Sequence, residues 1–240
     1  MTVHVRVDDL VQPVDSSILE KVMDIYTGIG ITLDMQFGSF LEEELAIHGN
    51  IQITTLSSKF DADDQKVAES SVRLLWKTPA GAKNAKAEEV VASMISHLSD
   101  PEVWGYAAGV SVADPLRSPI FVKAPPADWP QNEVFTRAYT NVDEANRARD
   151  LYYYTDVMVH ELGHAFGLSH NSADSLDFMY ESPHGQQKTD QIMEEILKSA
   201  PKDDLLGWRE FVIRETVSRG RHFSVAEAKT ARDTIGKFVK

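Results

Sequence analysis

Residues 160–170 read HELGHAFGLSH, and His160, Glu161, His164, Gly167 and His170 fall on every fixed position of the pattern HExxHxxGxxH. A step of four residues on an α-helix returns to nearly the same face, so His160 and His164 direct two imidazoles at one point. A helix continued through His170 would carry that residue about 240° round the axis from His164 and about 9 Å further along it, facing away. The spacing therefore predicts that the helix stops. Gly167 suits the stop, because a residue without Cβ takes positive φ at a helix C-terminus and lets the chain turn sharply. His170 can then swing back to the same point. Three neutral imidazoles at about 2.0–2.1 Å suit Zn2+ and leave one tetrahedral position open for water, the arrangement of a catalytic rather than a closed structural site. Glu161 points about 100° away from His160 round the helix, beside the ligand set rather than in it, and is expected to act as general base on that water.

These eleven residues resemble the zinc site of the metzincin peptidases. In SADSLDFMY, residues 172–180, Met179 follows His170 by nine positions and is similar to the Met-turn of that clan. There a methionine forms an apolar floor beneath the zinc histidines, a task that suits its flexible, polarisable side chain. Within the clan the chain most resembles the matrixins, the group that includes the matrix metalloproteinases. LYYYTDVMVHELGHAFGLSH, residues 151–170, is similar throughout to the matrixin active-site helix, with Leu151, Met158, Leu162 and Phe166 available for core packing. Asp203, Asp204 and Gly207 resemble the Asp-Asp-x-x-Gly opening of the matrixin C-terminal helix, where acids also suit the helix dipole. GYAAGVSVADP, from Gly105, resembles the approach to the edge strand over the matrixin cleft. That likeness implies that Val110, Ser111, Val112 and Ala113 pair with an extended substrate, main-chain bonds giving affinity and alternate pockets giving preference.

By the same similarity, Tyr180 and the ESPH that follows it wall the pocket for the substrate residue after the cut. Astacins and serralysins carry a zinc-reaching tyrosine two residues after the methionine; Glu181 stands there, so no tyrosine ligand is expected. Asn171 departs from the matrixin pattern, which has Ser directly after the third histidine. The histidines of a second, structural zinc are missing from GVSVADP and PIFVKAP, and only the catalytic Zn2+ is expected. The resemblance implies a zinc-dependent endopeptidase acting on a peptide or protein substrate. Two alternatives stand beside it: a processing protease restricted to one partner or to its own chain, and a noncatalytic zinc-holding binding or structural protein.

With 240 residues, 42% of them hydrophobic, the chain can bury a full core. A formal net charge of -13 opposes binding to nucleic acid or to an anionic membrane. The absence of cysteine excludes disulfides, cysteine-ligated zinc and the cysteine switch of many matrixin proforms. No run of about 18 apolar residues occurs, so no membrane span is expected. The opening MTVHVRVDDLVQPVD lacks a basic segment followed by an apolar stretch, although the family resemblance points to a secreted or extracellular protein. Neither a Gly-rich phosphate loop nor a GxSxG elbow is present, and the oligomeric state is not readable.

Alternation predicts strands over Thr2–Val7, Ile31–Phe37, Ile51–Leu56 and Ile120–Ala124. A helix is expected from Ser17, in capping-box spacing with Glu20, to Tyr26. Two more, over Gln65–Trp76 and Glu88–His97, read as an insertion near 60–101. Asp61, Asp63 and Asp64 lack the glycine and terminal glutamate of an EF-hand loop, so they read as a solvated acidic turn and Ca2+ is left open without support. Ser224 and Glu227 form a capping-box pattern that opens a last helix to Phe238. The expected fold is α/β (α+β): a twisted mixed sheet, an active-site helix and a mostly helical C-terminal part. Residues 1–210 are expected to form the catalytic domain and 211–240 a helical extension.

Overall fold

A computed structural model of the chain describes residues 2–38, 50–75, 85–107, 118–126, 141–171, 177–180 and 221–238, with residues 136, 139, 174 and 199 singly. The first strand, β1 (Thr2–Asp8), is followed by helix α1 (Ser16–Gly28), strands β2 (Thr32–Phe37) and β3 (Asn50–Leu56), and helices α2 (Ala62–Leu75) and α3 (Ala85–Leu98). Then come β4 (Gly105–Ala107), β5 (Pro119–Lys123), the long helix α4 (Val142–Ala165) and α5 (Val225–Phe238).

The five strands lie in the order β2-β1-β3-β5-β4. β1 pairs in parallel with β2 and β3, and β3 with β5, whereas β4 runs antiparallel to β5 at the edge. Parallel neighbours need crossovers, which α1 and the α2–α3 pair supply, and such a sheet needs cover on both faces. Val3, Val5 and Val7 project to one face with Ile51, Ile53, Ile120 and Val122, and all are fully buried under α1 and α4. Leu56 and Phe121 project to the other face, where Ala68 and Val72 of α2 and Met94 and Leu98 of α3 bury them. The helical insertion is thus the second cover of the sheet. Buried Lys123 joins it to β5, donating to the Leu98 and Asp100 carbonyls at the end of α3 at 3.2 and 2.8 Å.

The caps of two helices were not read from the sequence. Asp15 caps α1 by accepting from the Ser17 backbone N–H at 2.9 Å, so Ser17 and Glu20 lie inside the helix rather than forming its box. An ionised carboxylate accepts the stronger charge-assisted bond, and Asp15 takes the cap two residues before Ser17. α4 begins at Val142, where the Asn141 side chain accepts from the Asp143 N–H at 2.8 Å, and Asp143 and Glu144 complement the dipole in its first turn. At α5 the expected box forms reciprocally: Ser224 N–H donates to Glu227 Oε2 at 2.9 Å and Glu227 N–H to Ser224 Oγ at 3.2 Å.

α5 packs into the main core through Ala231 and Ile235, with Phe223 just before it. Tyr26 of α1 lies in the same core, edge-on to Phe166 at 5.2 Å, and donates its hydroxyl to the Val159 carbonyl of α4 at 2.8 Å. No helix among the described residues is long and apolar enough to cross a membrane.

Candidate active site

The end of α4 builds the site. Gly167 adopts φ +83°, donating its N–H to the His164 carbonyl at 3.0 Å, and Leu168 N–H reaches back to the Gly163 carbonyl at 3.0 Å. Together these bonds are a Schellman motif with glycine at its left-handed position. The turn does two things for the histidines. It reverses the chain so that His170 returns to the helix, and it delivers the Leu168 carbonyl to His164 Nδ1 at 2.9 Å.

His160, His164 and His170 converge, as their spacing predicts. Their Nε2 atoms lie 3.1 Å apart for His160 and His164, 3.1 Å for His164 and His170, and 3.3 Å for His160 and His170. His160 Nδ1 meets the Phe178 carbonyl at 2.6 Å. A carbonyl only accepts, so Nδ1 carries the proton in both His160 and His164, and both Nε2 atoms present bare lone pairs. Lone pairs at this separation repel one another unless a cation lies between them. A tetrahedral zinc with bonds of about 2.0–2.1 Å spaces its nitrogen ligands about 3.3–3.4 Å apart, so the donor set fits that ion. Among the described residues this trio is the group of metal-ligating side chains whose donor atoms gather within 4.8 Å.

Electrostatics favours the same state. Burial, then the neighbouring His164, hold His160 down to about 3, with Arg221 and His170 pushing the same way against the Phe178 carbonyl. Burial also lowers His164. Both imidazoles are therefore neutral near pH 7, the form a metal requires. His170 is exposed and opens the site to solvent.

Glu161 is 6% exposed and lies against β4. The Ala107 N–H donates to its carboxyl, and burial pushes it up to about 8. This contact depends on Gly105, where a Cβ would fall 2.6 Å from Glu161 Oε1 and 2.8 Å from Val157 Cγ1. Neither Gly105 nor the Ala107 N–H was assigned a part on sequence grounds, and the small residues of GYAAG were the available signal.

Met179 is fully buried beneath α4, and a Cβ on Gly163 would land inside the radius of its sulfur. The loop from His170 to Met179 is closed by Asn171, the residue that departs from the matrixin pattern. Its N–H donates to the Met179 carbonyl at 2.6 Å and its side-chain amide to Asp177 Oδ2 at 3.1 Å. Asp177 Oδ1 in turn accepts from Met179 N–H at 2.8 Å. Tyr180 bridges back to Asn171 and is half-buried.

Val110, Ser111, Val112 and Ala113 lie outside the described residues, as do Glu181, Asp203, Asp204 and Gly207. The Asp61, Asp63 and Asp64 carboxylates are engaged locally. Asp61 Oδ1 accepts from the N–H groups of Asp63 and Asp64, Asp64 accepts from Ser57 and Asp61, and Asp63 pairs with Lys66. They cap α2 and do not gather around a common point.

Three imidazoles converging at a broken helix, with a buried carboxylate beside them, could hold a metal ion. The matrixin family model matches residues 51–202, and the chain belongs to the matrixin family. No curated protein and no solved structure matches it.

Proposed function

We propose that the chain is a zinc-dependent endopeptidase in which Glu161 is the general base. The convergence of the His160, His164 and His170 Nε2 atoms at 3.1–3.3 Å, with Glu161 on the same helix, carries this reading. Those three residues would hold the ion. Zinc bound there supplies Lewis acidity, polarising a carbonyl oxygen and making water acidic near neutral pH.

Glu161 takes a proton from the attacking water and later delivers it to the leaving amine as the C–N bond breaks and the new C–O bond remains. Its buried position raises its basicity towards the range a base needs near pH 7, and the Ala107 N–H fixes its orientation. β4 is the edge strand among the described residues, with β5 as its partner on one side, so Gly105–Ala107 is suited to pair with an extended peptide, and by the family resemblance Val110, Ser111, Val112 and Ala113 would continue that pairing. Met179 serves as the apolar floor under the histidines, and Tyr180 as part of the wall for the residue after the cut.

The test is cleavage of a diverse peptide mixture, mapped by mass spectrometry, for zinc-loaded wild type and Glu161→Gln. Internal cuts by the wild type and a loss of roughly 10²–10⁴-fold in the variant, with zinc retained, are expected. Equal rates would remove Glu161 from the chemistry. Zinc uptake without any cleavage would favour a noncatalytic zinc-holding protein.

A further inference from the structure

Residues 221–238 lie beyond residue 202, where the family match ends, yet they reach the metal ligands. One of these contacts runs through a carbonyl. Phe178 O accepts from His160 Nδ1 at 2.6 Å and also from Arg221 Nη2 at 3.2 Å. The same Nη2 donates to the Asp177 carbonyl at 2.8 Å, and Arg221 Nη1 pairs with Asp156 Oδ2. Asp156 sits on α4 one helical turn before His160. The guanidinium carbon also lies over the Phe178 ring, 5.6 Å from its centroid.

We propose that Arg221 is a positioning residue for the metal centre, locking the Phe178 carbonyl in place against His160 and tying it to the helix that carries His160. This rests on the three histidines being the metal site. A guanidinium is suited to the work because its donors form a rigid planar fork, so acceptors on two elements are fixed relative to one another. The pair with Asp156 is largely shielded, at 18% and 22% side-chain exposure, so it resists the solvent competition that weakens surface pairs. Hydrogen-bond partners of a ligating imidazole set its tautomer and aim, and losing them weakens the metal directly. Here the partner is itself held by a second group, so Arg221 acts on Nε2 of His160 through a carbonyl rather than by contact.

The experiment is zinc affinity of the folded, metal-stripped chain, by competition with a chromophoric chelator, for wild type, Arg221→Ala, Arg221→Lys and Arg232→Ala. Arg232 Nη1 holds the Ile29 carbonyl at 2.6 Å and braces α5 without touching the Met179 loop, so it reports loosening of the C-terminal segment alone. Arg221→Ala is expected to bind zinc roughly 10–100-fold more weakly, Arg232→Ala to stay within about twofold of wild type, and Arg221→Lys to recover part of the loss. Wild-type affinity in Arg221→Ala, or an equal loss in Arg232→Ala, overturns the proposal. If Arg221→Ala shows no cooperative melt, Arg221→Lys decides: a retained charge without the fork should still weaken binding, and undiminished affinity overturns the proposal. Failure of the wild type to take up zinc would instead remove the metal site itself.

Discussion

At the residue scale, the site depends as much on missing side chains as on present ones. Gly105 lets β4 lie against Glu161, and Gly163 leaves room for Met179 under the helix. Gly105→Ala would put a methyl group 2.6 Å from Glu161 Oε1, so either the strand retreats or the carboxylate turns away. The expected result is a loss of about 1–3 kcal/mol in stability, as for overpacking elsewhere, together with a lower kcat at unchanged zinc content. Thermal melts, metal analysis and peptide cleavage on the variant check it; wild-type values for all three would show that the gap is incidental. The histidines and Glu161 were legible because their arrangement is local, four and six residues along one helix and its turn. Gly105 was not, since its partner is far off in sequence and only the folded sheet brings them together. Asn171 was legible only as a departure, and its two hydrogen bonds to Met179 and Asp177 emerge from the fold.

At the scale of elements, periodicity located β1, β2, β3 and β5 and helices α2 and α3, with errors at their ends, whereas β4 was not read as a strand and α4 came from its histidine motif. The start of α4 was missed because its first turns, VDEANRARD, are polar and offer no apolar stripe; a single Asn cap and two acids mark it instead. The end of that helix was predictable because Gly167 has a specific conformational task. Gly167→Ala would force a Cβ into φ +83° and within 3.1 Å of Thr234 Oγ1 on α5. A cost of about 1–2 kcal/mol is expected from the left-handed backbone, with weaker zinc binding because His170 hangs from this turn. Chelator competition on the folded variant measures the second effect, and unchanged zinc affinity would show that the turn tolerates a side chain.

For the whole molecule, the half-buried His160 couples the histidine cluster to folding. An ordinary histidine titrates near 6.5, whereas His160 in the folded, metal-free chain is held down to about 3. An unfolded chain therefore binds more protons than the folded one between those values. The contribution of His160 is complete above pH 6.5 and is lost as pH falls through that window. In metal-free protein the melting temperature should decline from pH 7 to pH 5 more steeply for wild type than for His160→Gln, read by calorimetry in the presence of a chelator. Parallel curves would mean that the imidazole is hydrated in the metal-free state. Global organisation was partly legible. Most strands and helices followed from pattern and the mixed sheet from the family resemblance, but the second apolar layer made by α2 and α3 requires knowing which strands they cross.

The packing of Phe223, Ala231 and Ile235 into the main core has a consequence for biosynthesis. These residues follow His170 in the chain, so a ribosome releases all three imidazoles before it has made the helix that backs the turn carrying the third. Until α5 emerges, the nascent polypeptide holds the three histidines without the wall behind their turn. Assembly order thus leaves the turn that carries His170 unbacked until α5 has been made.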